Sequence, residues 1–221
     1  VARQVGDELP RGFVRPLPRL AAGATPGPLR VDQVARALIA ETRLVLDPDR
    51  LRGWIDAYQA VVPLTIAELW ALPTMLRACV LRHLVRFLAD LDVPIGRPLD
   101  ASVAEPPTWT DLAPAVGVEH AVRTLRLLDV LDWQRFVADA SRVEAALRAD
   151  PAGVYPGMDF ATRDAYRRVV EDLAWATGVP EVDVAERAVA LAAGGDDDRR
   201  GHVGHYLVDA GRATLEAALG Y

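Results

Sequence analysis

The residues nearest in type and spacing to a metal site lie close to the end of the chain. His202 and His205 are three positions apart in "RGHVGHYLVDAGR", and on a helix this spacing places two imidazoles on one face, where they can hold a divalent metal. Asp198 or Asp209 would have to supply a third ligand. Glycines in the same stretch weaken a helix. We therefore predict no metal site and keep a metal-dependent hydrolase only as the third functional interpretation.

The run Asp196–Asp198 contains a D-x-D pattern. In nucleotide-sugar transferases of one large fold class, two carboxylates on such a tight turn bridge Mn²⁺ or Mg²⁺ to a diphosphate. Those motifs follow a buried strand, whereas this run follows "AERAVALAAGG", a helix with its glycine stop. We interpret the run as a solvated linker.

A third group of polar candidates lies in "DPAGVYPGMDFATRDAYRRVVEDLA", residues 150–174. Tyr155 is placed in a loop that Arg163 and Tyr166 can flank. Such a loop can contact carbohydrate or phosphate, or offer a nucleophilic hydroxyl. Together with Arg167, these residues are the predicted carbohydrate or interface contacts.

The simpler interpretation of residues 150–174 is the entrance of an amphipathic helix. Asp159 stands where an N-cap belongs, and a carboxylate there accepts free backbone N–H groups. The pairs Asp164–Arg168 and Arg167–Glu171 have i,i+4 spacing, which on an exposed helix contributes about 0.2–0.5 kcal/mol each. This interpretation places the arginine–acid rows outward.

Helical periodicity accounts for most of the chain, and we predict an all-α fold, an irregular bundle of about nine helices. Two capping boxes support helix starts: Thr65 with Glu68, and Ser141 with Glu144. Pro73 is expected to kink one helix or restart it. No strand-period segment is long enough to predict a sheet.

Proline and glycine divide this helical pattern into four parts. Residues 1–30 read as an extended Pro/Gly-rich arm, 31–91 as a first helical half, 92–116 as a Pro-rich loop, and 117–221 as a second helical half. We expect one domain overall. Because the first residue is Val1 rather than Met, we also expect a fragment of a longer chain.

Composition limits the function classes. The net charge of −6 argues against nonspecific nucleic-acid binding. The single cysteine, Cys79, lies on the apolar side of a predicted helix and is expected to be a buried, inert thiol. No run of 18 apolar residues predicts a membrane span. Walker, dinucleotide and G-x-S-x-G motifs are absent from the sequence.

Four segments in order resemble the amino-terminal cytosolic part of the cyclic β-1,2-glucan synthases, the NdvB-like membrane glycosyltransferases. The segments are "LPRGFVRPLPRLA", "RLRGWIDAYQAVVPLTIAELWALPTMLR", "LRLLDVLDWQRFVADASRVEAALRADPAGVYPGMDFATRDAYRRVVEDLA" and "HVGHYLVDAGRATLE". The resemblance covers most of the chain. Its weak part is residues 92–116, where this chain looks shorter than the family.

The resemblance implies an inner-membrane bacterial enzyme that uses UDP-glucose and a divalent metal, primes a glucan on itself and cyclises it with a phosphorylase-like module. The transferase core would follow this region, with Tyr221 just before the first membrane span. No catalytic residue of the family maps onto this chain, and we expect no cofactor in it. Because the family primes itself, Tyr155 as the primer is one hypothesis.

We therefore interpret the chain as a non-catalytic helical domain that scaffolds the transferase core at the cytoplasmic side of the inner membrane. Its partners would be the transferase and phosphorylase-like modules of the same polypeptide, with β-1,2-glucan left open. The rival class is a free-standing soluble module that binds a protein. A fragment of a larger enzyme should expose an apolar patch, which we place around Trp54, Trp70 or Trp109.

Overall fold

A computed structural model describes residues 17–22, 25–94, 109 and 111–221 of the chain. These residues form ten α-helices and one two-stranded hairpin, which confirms the predicted all-α fold. The helices are α1 (Arg30–Thr42), α2 (Pro48–Gln59), α3 (Ile66–Asp90), α4 (Pro114–Val130), α5 (Trp133–Ala140), α6 (Arg142–Leu147), α7 (Phe160–Thr177), α8 (Glu181–Ala193), α9 (Val203–Val208) and α10 (Arg212–Ala218), with a 3₁₀ turn at Tyr155–Gly157.

The hairpin lies within the predicted arm. Strand β1 (Arg19–Ala22) pairs antiparallel with β2 (Thr25–Leu29), and Arg19 stands opposite Leu29. Strand β1 has the sequence RLAA and β2 the sequence TPGPL, and neither alternates apolar with polar residues as a strand predictable from sequence does. The sequence pattern therefore gave no signal for them. Residues 1–16 of the predicted arm lie outside the described residues.

The chain divides into two compact units. The first comprises the described residues up to Val61 together with Ala67–Phe136, and the second comprises Val62–Ile66 together with Val137–Tyr221. The division falls after Phe136, inside α5, rather than in the Pro-rich stretch 92–116. Most of that stretch lies outside the described residues, but α4 already begins at Pro114, three residues before the second predicted half.

In the first unit, apolar faces of the helices form the core. Helix α1 buries five residues at helical spacing, and α3 continues through Pro73 as one helix rather than restarting there. Cys79 is buried, and burial raises the pKa of its thiol, as expected for an inert cysteine. Gly117 of α4 lies against the ring of Phe87, where a Cβ would approach to 2.5 Å. Glycine permits this close helix packing.

A buried ion pair accompanies that core. The Glu68 carboxylate, in the first turn of α3, is fully buried and accepts two hydrogen bonds from the Arg30 guanidinium, at the start of α1. The capping interpretation had assigned Glu68 a role at its own helix terminus with Thr65. The partner 38 residues away adds a tertiary role, because a buried carboxylate needs a hydrogen-bonded counter-charge.

The second unit is organised around α8. This helix contacts α6, α7, α9 and α10, and it does so with small residues, because Val184, Ala185, Ala188 and Ala192 are all buried. Small side chains let several helices approach one axis. The helices around α8 bring residues 141–167 close to residues 198–209. The polar residues of the candidate site lie in these two segments.

None of the three tryptophans around which we predicted an apolar patch is among the large exposed hydrophobic residues. Trp109 is buried and its indole N–H donates to the Ala40 carbonyl, while Trp54 and Trp70 are half-buried. The exposed tryptophan is Trp175 of α7, which is 64% exposed. None of the helices in the described ranges combines the length and apolar character needed to cross a bilayer.

Candidate functional site

A fully buried carboxylate, Glu144, organises the first polar cluster of the second unit. The hydroxyl of Ser141 accepts the backbone N–H of Glu144 at 3.2 Å, which starts α6. The reciprocal half of the predicted capping box is absent, because the Ser141 N–H donates to the Val137 carbonyl. The Glu144 carboxylate points instead into the unit, where it accepts hydrogen bonds from the 3₁₀ turn, from α7 and from Arg148 at the end of its own helix.

Four donors meet the Glu144 carboxylate. The Tyr155 hydroxyl donates to Oε2 at 2.8 Å, and the Arg167 guanidinium donates to the same oxygen at 2.6 Å. Arg163 and Arg148 donate to Oε1 at 2.7 and 3.1 Å. Burial alone would raise the pKa of Glu144, but these hydrogen bonds and the arginine charges outweigh burial and hold it below the ordinary value. Glu144 is therefore ionised at neutral pH.

Tyr155 lies at the centre of this cluster and is fully buried. Burial, with the adjacent Glu144 charge, raises the pKa of its hydroxyl far above the ordinary value. A nucleophile or a glucan primer needs the opposite properties, namely access to the reacting sugar and a hydroxyl that can lose its proton. In this geometry Glu144 holds the hydroxyl inside the unit, and this arrangement disfavours Tyr155 as a glucan primer.

Arg167 corrects a second sequence interpretation. The predicted surface pair with Glu171 is wrong for this arginine, whose side chain is only 1% exposed and bridges Glu144 and Asp164. Its guanidinium also lies 5.0 Å from the centre of the Phe160 ring, within cation–π range. The pair Asp164–Arg168 forms as predicted, at 2.8 Å.

Asp159 is the N-cap of α7, and its side chain accepts the backbone N–H of Thr162 at 2.7 Å. That hydrogen bond holds the pKa of Asp159 below its ordinary value. The cap fixes where α7 begins. It thereby sets which residues of the helix, Arg163 and Arg167, turn toward Glu144.

A second buried carboxylate, Asp150, was not among the sequence candidates. Its Oδ2 accepts the backbone N–H groups of Val154 and Tyr155 at 3.0 Å, and its Oδ1 accepts that of Val203 at 3.0 Å. Oδ2 also lies 2.8 Å from His202 Nδ1. Burial would raise the pKa of Asp150, but these backbone and imidazole hydrogen bonds hold it below the ordinary value.

The ionised Asp150 carboxylate fixes the orientation of His202. A carboxylate can only accept, so Nδ1 of His202 carries the hydrogen, and Nε2 is the ring nitrogen left on the side away from Asp150. Nε2 lies 3.5 Å from the Tyr166 hydroxyl, a long contact that leaves both groups able to bind a third polar atom. Gly204 stands beside them, and a Cβ there would lie 2.4 Å from the Tyr166 hydroxyl.

These groups open on a cleft of about 450 Å³. That volume lies in the range of small-molecule sites, about 300–1,000 Å³. Its polar wall consists of Tyr166, Asp198, Arg199, His202, His205 and Asp209, and its apolar wall includes Val154 and Val208. Of the four predicted contact residues, Tyr166 is in this wall. Tyr155, Arg163 and Arg167 belong to the Glu144 cluster.

The two histidines of the weak metal alternative line the same cleft, but not as a metal centre. Across the ranges that the structure describes, no three His, Cys, Asp or Glu side chains come together in a way that would hold a metal ion. Nδ1 of His202 is already hydrogen-bonded to Asp150. Asp198 is exposed, and Asp209 forms an ion pair with Arg199 at 2.7 Å.

Comparison with known proteins gives one informative match. The chain is 25% identical over 292 residues to the cyclic beta-(1,2)-glucan synthase NdvB of Rhizobium meliloti (strain 1021). The alignment covers 99% of this chain and 10% of the relative's length. No protein-family model matches the chain. The similarity confirms the NdvB-like relationship that the quoted segments predicted.

The chain thus spans about a tenth of the length of this relative. The alignment is also longer than the 221 residues of the chain, so residues of the synthase stand opposite gaps in it. Gaps in this chain are expected if it is shorter than the corresponding region of the synthase. That the shortening lies at 92–116 stays a prediction.

Proposed function

We propose that the chain is a non-catalytic helical domain of a cyclic β-1,2-glucan synthase-like glycosyltransferase. The observation that carries the proposal is the similarity along 99% of the chain to a synthase of which the alignment covers 10%. In such a polypeptide the domain would scaffold a transferase core that uses UDP-glucose and a divalent metal. The transferase and phosphorylase-like modules would be its partners.

The internal chemistry of the second unit supports a structural role. Glu144, Tyr155 and Arg167 are buried, and the tyrosine hydroxyl and the guanidinium both donate to the Glu144 carboxylate. Catalytic groups need access to substrate, whereas these groups hold α6, the 3₁₀ turn and α7 in register. The proposed location, the cytoplasmic side of the inner membrane, rests on the family resemblance alone.

The first test is an immunoblot of fractionated source cells with an antibody raised against this chain. We expect a band many times larger than 24 kDa in the inner-membrane fraction. A 24 kDa band in the soluble fraction would contradict the proposal and favour a free-standing module that binds a protein.

The free-standing alternative needs an exposed binding surface. Trp175 is 64% exposed on α7, and an exposed indole is a common anchor of protein interfaces. The same surface serves either interpretation, because a scaffold also needs a docking face. Trp175→Ala in the full polypeptide should release the domain from its neighbours in limited proteolysis, and unchanged digestion would exclude Trp175 from that face.

A further inference from the structure

We propose that the cleft lined by Tyr166, His202 and Asp198 binds a segment of neutral β-1,2-linked glucan. The choice of the β-1,2 linkage rests on the proposed function, since the synthase that the chain resembles makes that glucan. The choice of a neutral sugar as the ligand is argued from the residues that line the cleft. This site is separate from the Glu144 cluster, where sequence reasoning had placed most of the glucan contacts.

The charges of the cleft disfavour an anionic ligand. Asp198 and Asp209 contribute two negative charges to its wall, Asp150 lies buried behind His202, and Arg199 is paired with Asp209. A nucleoside diphosphate would meet this excess of carboxylates with little free positive charge. A neutral ligand with many hydroxyl groups would find acceptors in the carboxylates and a donor in the guanidinium.

The geometry at the centre of the cleft is suited to one hydroxyl. Tyr166 Oη and His202 Nε2 are 3.5 Å apart, and a hydroxyl oxygen can bridge two such groups more favourably than they bond to each other. Asp150 prepares this contact by holding the imidazole from the opposite side. His205 lies in the same wall, with Nδ1 3.5 Å from the Asp209 carboxylate, and adds a further polar ring beside this contact.

The shape of the cleft is maintained by Gly204. Any side chain at this position would occupy space beside the Tyr166 hydroxyl and His202 Nε2, because a Cβ already approaches these atoms to 2.4 and 2.6 Å. The rings of Tyr166 and His202, with Val154 and Val208, give the apolar surface on which the C–H faces of a sugar can pack.

The four histidines of the chain supply a direct test. Ring resonances of the 221-residue protein are followed by NMR while a linear β-1,2-linked glucotetraose is added. We expect the resonances of His202 and His205 to shift with saturation, while His83 and His120, in the other compact unit, stay in place. If no resonance shifts at about 10 mM sugar, the dissociation constant is too high for a functional site, and the proposal is overturned.

The run Asp196–Asp198 provides matched variants. Asp198 lines the cleft, whereas Asp196 is exposed and pairs with Arg200. Asp198→Ala should weaken binding about three- to tenfold, the loss expected for one ordinary hydrogen bond at an exposed position, and Asp196→Ala should leave it unchanged. Equal effects of the two changes would overturn the assignment of the site.

A β-1,4-linked glucotetraose tests the linkage, and inorganic phosphate tests the charge argument. Equal affinity for both tetraoses would overturn the assignment to β-1,2-glucan, and competition by phosphate would overturn the choice of a neutral ligand. These outcomes are independent of the immunoblot. A membrane-bound synthase without sugar binding would leave the proposed function intact and remove only this inference.

Discussion

Glu144 and Asp150 are two buried carboxylates six residues apart, and the second unit uses them differently. Glu144 accepts hydrogen bonds from four side chains, three of them arginines. Asp150 accepts three backbone N–H groups and one imidazole. The partners of Glu144 hold neighbouring elements together, whereas Asp150 also holds the His202 ring in the wall of the cleft. One buried carboxylate therefore stabilises the packing of helices, and the other orients a side chain at a surface cleft.

The largest effect should follow removal of the acceptor of the Glu144 cluster. Glu144→Ala leaves Arg167 charged and Tyr155 polar in a buried space, so we expect a loss of about 3–5 kcal/mol in the free energy of unfolding. Urea denaturation followed by circular dichroism measures it. Exposed Glu186 of α8 is the matched control, since Glu186→Gln should change stability by less than about 0.5 kcal/mol. A loss below about 1 kcal/mol for Glu144→Ala would show that the cluster relaxes easily.

Acid should weaken both carboxylate sites. Their folded pKa values lie below the ordinary ones, so their contribution is complete above the unfolded pKa, near 4, and is lost as pH falls through the folded values. We expect the unfolding free energy of the protein to drop as the pH falls below about 4. Glu144→Gln should show a smaller drop and Glu186→Gln the same drop as the unmodified chain. Equal drops in all three would assign the acid sensitivity to other groups.

Removing one donor should have a smaller effect than removing the acceptor. Tyr155→Phe keeps the ring and deletes the hydroxyl that donates to Glu144, while Arg163 and Arg167 still satisfy that carboxylate. We expect a loss of about 1–2 kcal/mol in the free energy of unfolding. Tyr221→Phe, at a residue that is 72% exposed, is the control and should be neutral. A neutral Tyr155→Phe would mean that the arginines alone hold Glu144.

The smallest effect on stability is expected at the cleft. Asp198 is exposed, so Asp198→Ala should change the free energy of unfolding by less than about 0.5 kcal/mol while it weakens glucotetraose binding. Thermal unfolding monitored in parallel with the NMR titration separates the two properties. A destabilisation of more than about 1 kcal/mol would place Asp198 among the structural carboxylates.

Local hydrogen bonds were predictable from the sequence and distant ones were not. The Asp159 cap involves Thr162, three residues away, so spacing alone indicates it. Arg167 has the same i,i+4 spacing to Glu171 as any surface pair, but its partner Glu144 lies 23 residues away. No periodicity encodes that separation. Helix content was predictable for the same reason, since apolar repeats are local.

Asp150 shows which signal was overlooked at the cleft. It precedes Pro151 and Gly153, and Asp in such turns commonly accepts backbone N–H groups a few residues on, as it does here from Val154 and Tyr155. That half of its role is readable from the sequence. The contact with His202, 52 residues further along, is a product of the fold.

The hydrogen bond from the Val203 N–H to Asp150 joins positions 53 residues apart. Closing a loop of this length carries an entropic cost that must be met before the contact contributes any stability. The start of α9, and with it the His202 wall of the cleft, should therefore be completed late in folding, after α6 and the turn at Asp150 have formed. Amide hydrogen exchange pulsed during refolding should show Val203 protected later than Tyr155, whose N–H reaches the same carboxylate across only five residues.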